Sequence, residues 1–258
     1  MRTMNPALND STFEKAAADW APPSGQPHLV DDSERMTFSG TLTATAVCLT
    51  VLAAGAVVGW MSVEQDAAGN TSLPGWLFIA LLGGLGIAIL TIVKPPFARF
   101  TAPLYSGVQG LVVGAISAVY NIQYEGIVLQ AVGLTAAVAA VMVFLYATRI
   151  IEVTQKLRMM IVAATAGIAL FYLVGMVIRL FGGDIPLVHD TGTLGILFSL
   201  FVVGVAAFNL LLDFDLIENG VKAGAPPYME WYAAFGLVVT LVWLYLEMLR
   251  LLAKLRER

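Results

Sequence analysis

Two aspartates close the apolar run Phe208-Asn-Leu-Leu-Leu-Asp-Phe-Asp215, and a glutamate, Glu247, lies inside a second run from Val239 to Arg250. Carboxylates in such places can carry protons, bind hard cations or pair with a basic partner. A charged Asp at mid-membrane costs roughly 2.5 to 3.5 kcal/mol on insertion scales, so one that is kept there handles an ion, a proton or a partner. On a helix Asn209 and Asp213 share a face, whereas Asp213 and Asp215 point about 200° apart. Asp215 and Glu218 share another face. One aspartate therefore faces the interior and the other the aqueous end; Asp213, set behind Leu210, Leu211 and Leu212, is the deeper. Asp213 reads either as a functional inward carboxylate or as an acid solvated near a helix end. Glu247 has Arg250 three residues on, so it reads either as a structural helix pair or as an ion-handling group. Glu230, at the start of the last run, reads as an interfacial residue.

The elements that position these groups are membrane helices. Hydrophobic residues make up 59% of the 258 and charged residues only 12%, about half the share of a soluble domain. Mean hydropathy is +0.81. Seven apolar segments run near 39–63, 75–94, 100–120, 126–148, 159–181, 192–217 and 228–253, each about long enough to cross 30 Å of hydrocarbon. The expected fold is an all-α, seven-helix membrane bundle over 39–255, preceded by a disordered cytoplasmic tail over 1–38. Within that tail 21–34 reads as linker, and Phe13 to Trp20 as a short surface helix. Gly55/Gly59 and Gly110/Gly114 are spaced for close helix packing, with a dimer face as the alternative. Trp60, Trp76, Trp231 and Tyr232 sit where interfacial aromatics do. Cys48, the single cysteine, reads as packing.

Lys94 and Arg99 flank Pro95-Pro96. Both read as snorkelling to the headgroups, or Lys94 as a latch on a carboxylate of a neighbouring helix. Successive polar pieces carry 3, 0, 2, 0, 3, 1, 1 and 4 Lys or Arg. The early alternation places the N-terminus in the cytoplasm of a multi-pass protein of the inner (plasma) membrane. Seven full crossings then put the basic tail Arg250 to Arg258 outside, against the charge rule; one late segment turning back would bring it inside. No hydrolase or nucleotide signature is present, no basic aromatic surface suits nucleic acid, and the two histidines lie in a tail and a loop. An enzyme is not expected.

The Asp213-Phe-Asp-Leu-Ile217 end of the sixth segment and the Leu244-Tyr-Leu-Glu247 stretch of the seventh resemble the transmembrane Bax inhibitor motif family. The chain is most similar to its bacterial YccA-like branch, and Asn5-Pro-Ala-Leu8 and Met229-Glu-Trp-Tyr-Ala-Ala-Phe235 look like an actinobacterial subgroup. The resemblance implies a pH-sensitive calcium leak channel. In it, acids of the sixth and seventh helices share a proton and a cation of the second helix latches one of them. Carried over, the pair is Asp213 and Glu247, with Lys94 the nearest cation and Glu replacing the usual second Asp. Such a pair would also be the transient calcium site, since two close carboxylates hold one proton and, on losing it, offer hard oxygen ligands. The two are 34 residues apart with a loop expected over Asn219 to Pro227, so Glu230 is the better match to Asp213 in a simple hairpin. Asp215, Asn209 and Glu218 are secondary candidates.

The resemblance therefore implies lipid, calcium ions and protons as partners, no cofactor, and calcium as cargo. The alternative it leaves open is a membrane adaptor that modulates a membrane protease or stress-response partner without transporting ions.

Overall fold

The computed structural model describes residues 15–16, 35–65, 71–72, 74–180 and 192–257. Seven long helices appear there, α1 (Phe38–Met61), α2 (Trp76–Val93), α3 (Ala98–Gln123), α4 (Ile127–Ala147), α5 (Gln155–Leu180), α6 (Thr193–Lys222) and α7 (Tyr228–Arg256). All seven are long and apolar enough to cross a membrane, as the hydropathy blocks require. Two-residue strands β1 (Glu64–Gln65) and β2 (Thr71–Ser72) pair antiparallel between α1 and α2. Pro95–Phe97 forms a single 3₁₀ turn with proline at its start, where the missing N–H costs nothing, and leads into α3. Of the expected surface helix only Lys15 and Ala16 fall within the described residues, and both are helical. The linker at 21–34 lies outside them.

The sequence boundaries need two corrections. Met36 and Thr37 belong to the folded part: Met36 is buried and donates its N–H to the Ala225 carbonyl at 2.7 Å. Asn219 to Lys222 continues α6 rather than forming loop, because Asn219 bonds back to Asp215 and Lys222 to Glu218, one helical turn apart. The helix then stops at a left-handed Gly224 (φ +67°), with Gly224 N–H on Val221 O and Ala225 N–H on Gly220 O. That is the Schellman arrangement, which a side chain at this φ would strain.

The chain divides into two compact units, Met1–Val119 with Asp213–Val239, and Tyr120–Leu212 with Thr240–Arg258. In the first, α1 and α3 interlock through the glycines noted above. A Cβ on Gly114 would stand 1.9 Å from the Ala56 carbonyl oxygen, and one on Gly59 2.1 Å from that of Leu111. Backbone meets backbone, so close packing is the role of both glycine pairs within the chain. In lipid, where apolar surface gains nothing by leaving the solvent, such packing is what joins helices. Cys48 is fully buried beside Ser106, in keeping with a packing role. Tyr232, expected at the interface, is fully buried as well, its ring 6.5 Å from that of Phe235. Its aromatic bulk fills the core of this unit.

In the second unit Ile168 of α5 and Val202 and Val205 of α6 form a core, with Tyr172, Phe198 and Trp243 packed against it. Asn209 is buried here and donates to Thr165 Oγ1 of α5 at 2.8 Å.

Candidate functional site

Glu247 lies nine residues before the end of α7, about 14 Å along its axis. Its side chain is 2% exposed. Arg250 is one turn on, and its Nη1 reaches both Glu247 oxygens at 2.8 Å. Tyr172 of α5 closes the group: its hydroxyl donates to Glu247 Oε1 at 3.0 Å and accepts from Arg250 Nη1 at 2.6 Å. The guanidinium also lies over the Tyr172 ring, 5.0 Å from its centroid. Phe198 holds that ring edge-on, centroids 6.5 Å apart. Charge-assisted bonds of this kind are about twice as strong as neutral ones. Removing one partner of such a buried pair costs about 3 to 5 kcal/mol, because the other is left uncompensated. The group is asymmetric, however: the Arg250 side chain keeps 31% of its surface.

Polar contacts continue towards the C-terminal end of α7. Lys254 is buried and its ammonium donates to the Gly195 carbonyl at 3.1 Å. Arg256 donates to the Glu125 carbonyl at 2.8 Å and to Gln130 Oε1 at 2.9 Å. The Tyr124 hydroxyl donates to Glu257. Burial, then that bond and the nearby charge, push the Tyr124 phenol up to about 12.

Asp213 is 1% exposed among the buried Leu210, Leu211, Leu212 and Leu216. Asp215 is only half-buried and accepts from Asn219 Nδ2 at 3.2 Å, so the two aspartates do lie in unlike surroundings, as helical spacing demands. Glu218 is buried but reaches the exposed Lys222 ammonium at 2.6 Å. Asp213 belongs to the first unit, and Glu247 and Asn209 to the second.

Glu230 has a definite structural task. It accepts from both the backbone N–H (2.8 Å) and the hydroxyl (2.9 Å) of Thr37, the N-cap of α1. The Thr37 hydroxyl in turn accepts from Gly40 N–H at 2.9 Å. In a local capping box the residue at Gly40's place would be a Glu or Gln reaching back to the cap. Here that residue has no side chain, and a Cβ on it would fall 2.0 Å from Glu230 Oε1. A carboxylate 193 residues along the chain thus completes the box. Lys94, at the C-cap of α2, is exposed and forms no ion pair among the described residues.

Sequence reasoning missed Tyr172, Tyr124, Thr37 and Gly40. Tyr172 carried a readable signal, a phenol at mid-helix in an apolar run, away from the interfaces where tyrosine collects. Thr37, three residues before a glycine at the head of the first apolar block, carried a weaker one.

The fold and these buried ionisable groups define a polytopic membrane protein. Its three most buried spans, α3, α6 and α7, include the two that carry intramembrane acids. A family model described as Bax inhibitor 1 like matches residues 5–257, nearly the whole chain, and the protein belongs to that family. No match was found among curated proteins.

Proposed function

We propose that this protein is a calcium leak channel or transporter, gated by protonation of its intramembrane carboxylates, with Asp213 and Glu247 as the groups that titrate. The observation that carries this reading is the burial of two carboxylates, at 1% and 2% exposure, in helices built to lie in lipid. Placing ionised groups there is costly unless the charge is used or balanced. Glu247 is balanced by Arg250 and Tyr172. A proton on Glu247 cancels its attraction for the guanidinium, and a hard divalent cation competes with that guanidinium for the same oxygens. Either event frees Arg250, whose side chain keeps 31% of its surface, so the pair has two distinct states. Calcium is cargo here, not a resident ion.

The N-terminus is placed in the cytoplasm. Seven full crossings would then leave the basic C-terminal tail on the other face, against the charge rule, whereas a late segment that turned back would bring it inside. Much of that charge is engaged by other groups of the chain: Arg250 by Glu247, Lys254 by the Gly195 carbonyl and, at the surface, Arg256 by Glu125 and Gln130. Labelling a cysteine at Ser24 in a Cys48→Ala background tests the orientation. Resistance to an impermeant thiol reagent in intact cells is expected, and reaction would reverse the assignment.

The function is tested by calcium flux into liposomes holding the purified protein, measured across pH. Asp213→Asn and Glu247→Gln should each abolish the pH response while the protein stays folded. Normal pH-dependent flux in Asp213→Asn would overturn the mechanism. Absence of flux in the native protein, with a cellular role lost only on removing residues 1–34, would favour the adaptor reading.

A further inference from the structure

We propose that one end of the first unit, bearing Arg35, Lys94 and Arg99, is a docking surface for anionic phospholipid of the surrounding leaflet. The phosphate sits on the three cations, and the acyl chains run along Phe38, Phe97 and Phe100.

The first observation is where the charge lies. Across 35–119 and 213–239 the Lys and Arg residues are Arg35, Lys94, Arg99 and Lys222. Contacts between α1 and α3 set their placement. A Cβ on Gly55 would meet the Gly107 carbonyl oxygen at 2.5 Å, and one on Gly59 that of Leu111 at 2.1 Å. Both helices advance by four residues between these contacts, so they run parallel. The start of α1 therefore lies at the same end of the unit as the turn before α3. It is also bonded to the turn after α6, through the Met36 N–H and the Ala225 carbonyl. All four cations gather at that end. Where α1 finishes, the described residues carry Glu64 and no Lys or Arg.

The second observation is that the acids near this end are met by the chain, and three of the cations are not. Glu218 takes Lys222, Asp215 takes the Asn219 amide and Glu230 caps α1. Arg35, Lys94 and Arg99 are exposed and have no hydrogen bond or ion pair among the described residues. Each is followed within three residues by an exposed phenylalanine: Phe38 at 49%, Phe97 at 54% and Phe100 at 74%. A cation at phosphate level beside a ring at the edge of the hydrocarbon binds a lipid by both its parts. A soluble anion would need only the cations.

The third observation is the stiffness of the turn between α2 and α3. Lys94 precedes Pro95-Pro96, whose φ angles are fixed. The Phe97 N–H closes the turn on the Lys94 carbonyl at 3.1 Å, and the Ala98 N–H bonds that of Pro95. The prolines have no N–H, so through residue 98 the backbone keeps no donor for a headgroup. The side chains must hold the phosphate. Arg99, in the first turn of α3, leans towards the helix start and hence towards the headgroups. Asp31, Asp32 and Glu34 precede Arg35 in sequence and offset it, so Lys94 and Arg99 carry the larger effect.

Native mass spectrometry of the full chain in detergent, titrated with dioleoyl phosphatidylglycerol or phosphatidylcholine, tests the surface. The anionic lipid should bind roughly tenfold tighter or more. Lys94→Gln and Arg99→Gln should each weaken its binding roughly fivefold, and the two together roughly 25-fold, while the neutral lipid is unaffected. Lys94→Arg and Arg99→Lys should keep the affinity, which separates lost charge from lost folding; a full loss in them would overturn the role of charge. Phe97→Ser with Phe100→Ser should weaken binding with every cation in place, and glycerol phosphate should not displace the lipid. Lys222→Gln should change nothing, because Glu218 already holds that ammonium. Equal affinity for the two lipids would overturn the proposal, and an equal loss in Lys222→Gln would reduce it to net charge. Displacement by glycerol phosphate would overturn it in favour of a site for a soluble anion. A preference that appears only after Asp31→Asn, Asp32→Asn and Glu34→Gln would give the surface to the acidic tail of the chain instead.

Discussion

Two glutamates on α7 meet opposite treatment. Glu230, in the first turn, faces neutral donors: a threonine N–H and hydroxyl at the head of α1. Glu247, seventeen residues on, is held by a guanidinium and a phenol. Both are hydrogen-bonded on well-defined partners, yet only one site pairs charge with charge. At Glu230 a helix N-terminus supplies orphan N–H groups and a favourable dipole, and a carboxylate is the natural complement. At Glu247 those groups lie within their own helix ladder, so the charge must be met by another charge. The difference teaches that an acid in a membrane helix is not by itself a sign of ion handling; its partner decides.

The largest effect expected is at the charged pair. Arg250→Ala leaves the sealed Glu247 uncompensated and should lower stability in detergent by about 3 to 5 kcal/mol. Glu247→Gln should cost less, because the partly exposed Arg250 head can turn to solvent, and Tyr172 retains an acceptor. If Glu247→Gln proves the worse of the two in denaturant titration, the view of Arg250 as the accessible partner fails.

An intermediate effect is expected at the cap, where Glu230→Ala should cost about 1 kcal/mol, as lost caps do. Gly40→Ala should cost a similar amount in the native protein, since its Cβ displaces the carboxylate. In a Glu230→Ala background the same Gly40→Ala change should turn neutral or stabilising, by up to about 1 kcal/mol, because alanine is the better helix former. Simple additivity in that double-mutant cycle would remove the glycine from the capping argument.

The smallest effect concerns Glu257, the third acid of this segment. The Tyr124 phenol is raised from 10.0 to about 12 by burial and by Glu257. A raised acid favours the folded state in its protonated form. Its contribution is therefore complete below pH 10 and is lost as pH rises through 12. Ultraviolet titration should show an absorbance step near pH 12 that shrinks by one phenol in Tyr124→Phe, and that phenol should titrate lower in Glu257→Gln. An unshifted titration in Glu257→Gln would remove Glu257 as a cause.

Much of this was legible in the chain because it depends on neighbours in sequence. Hydropathy blocks marked all seven spans, since lipid accepts only backbone whose hydrogen bonds are made within the segment. The i, i+3 spacing of Glu247 and Arg250 offered their pair, and the unlike faces of Asp213 and Asp215 followed from the helical turn. Glycine spacing marked the close packing of α1, although not that α3 is its partner. The end of α6 was placed five residues early because its last turn is polar and is held by side-chain pairs, which a hydropathy reading discounts.

The rest needed the tertiary fold. Glu230 looked like an interfacial acid until its distance in sequence from Thr37 collapsed to one hydrogen bond. Tyr172 joins Glu247 from 75 residues away, and Lys254 is buried against a carbonyl 59 residues back. By itself, then, the sequence determined which stretches enter the membrane and which acids enter with them, because both depend on local composition and helical period. Which partner each acid meets was decided only by the packing register of distant helices, since a hydrogen bond is satisfied or lost within an ångström and no local pattern specifies that distance.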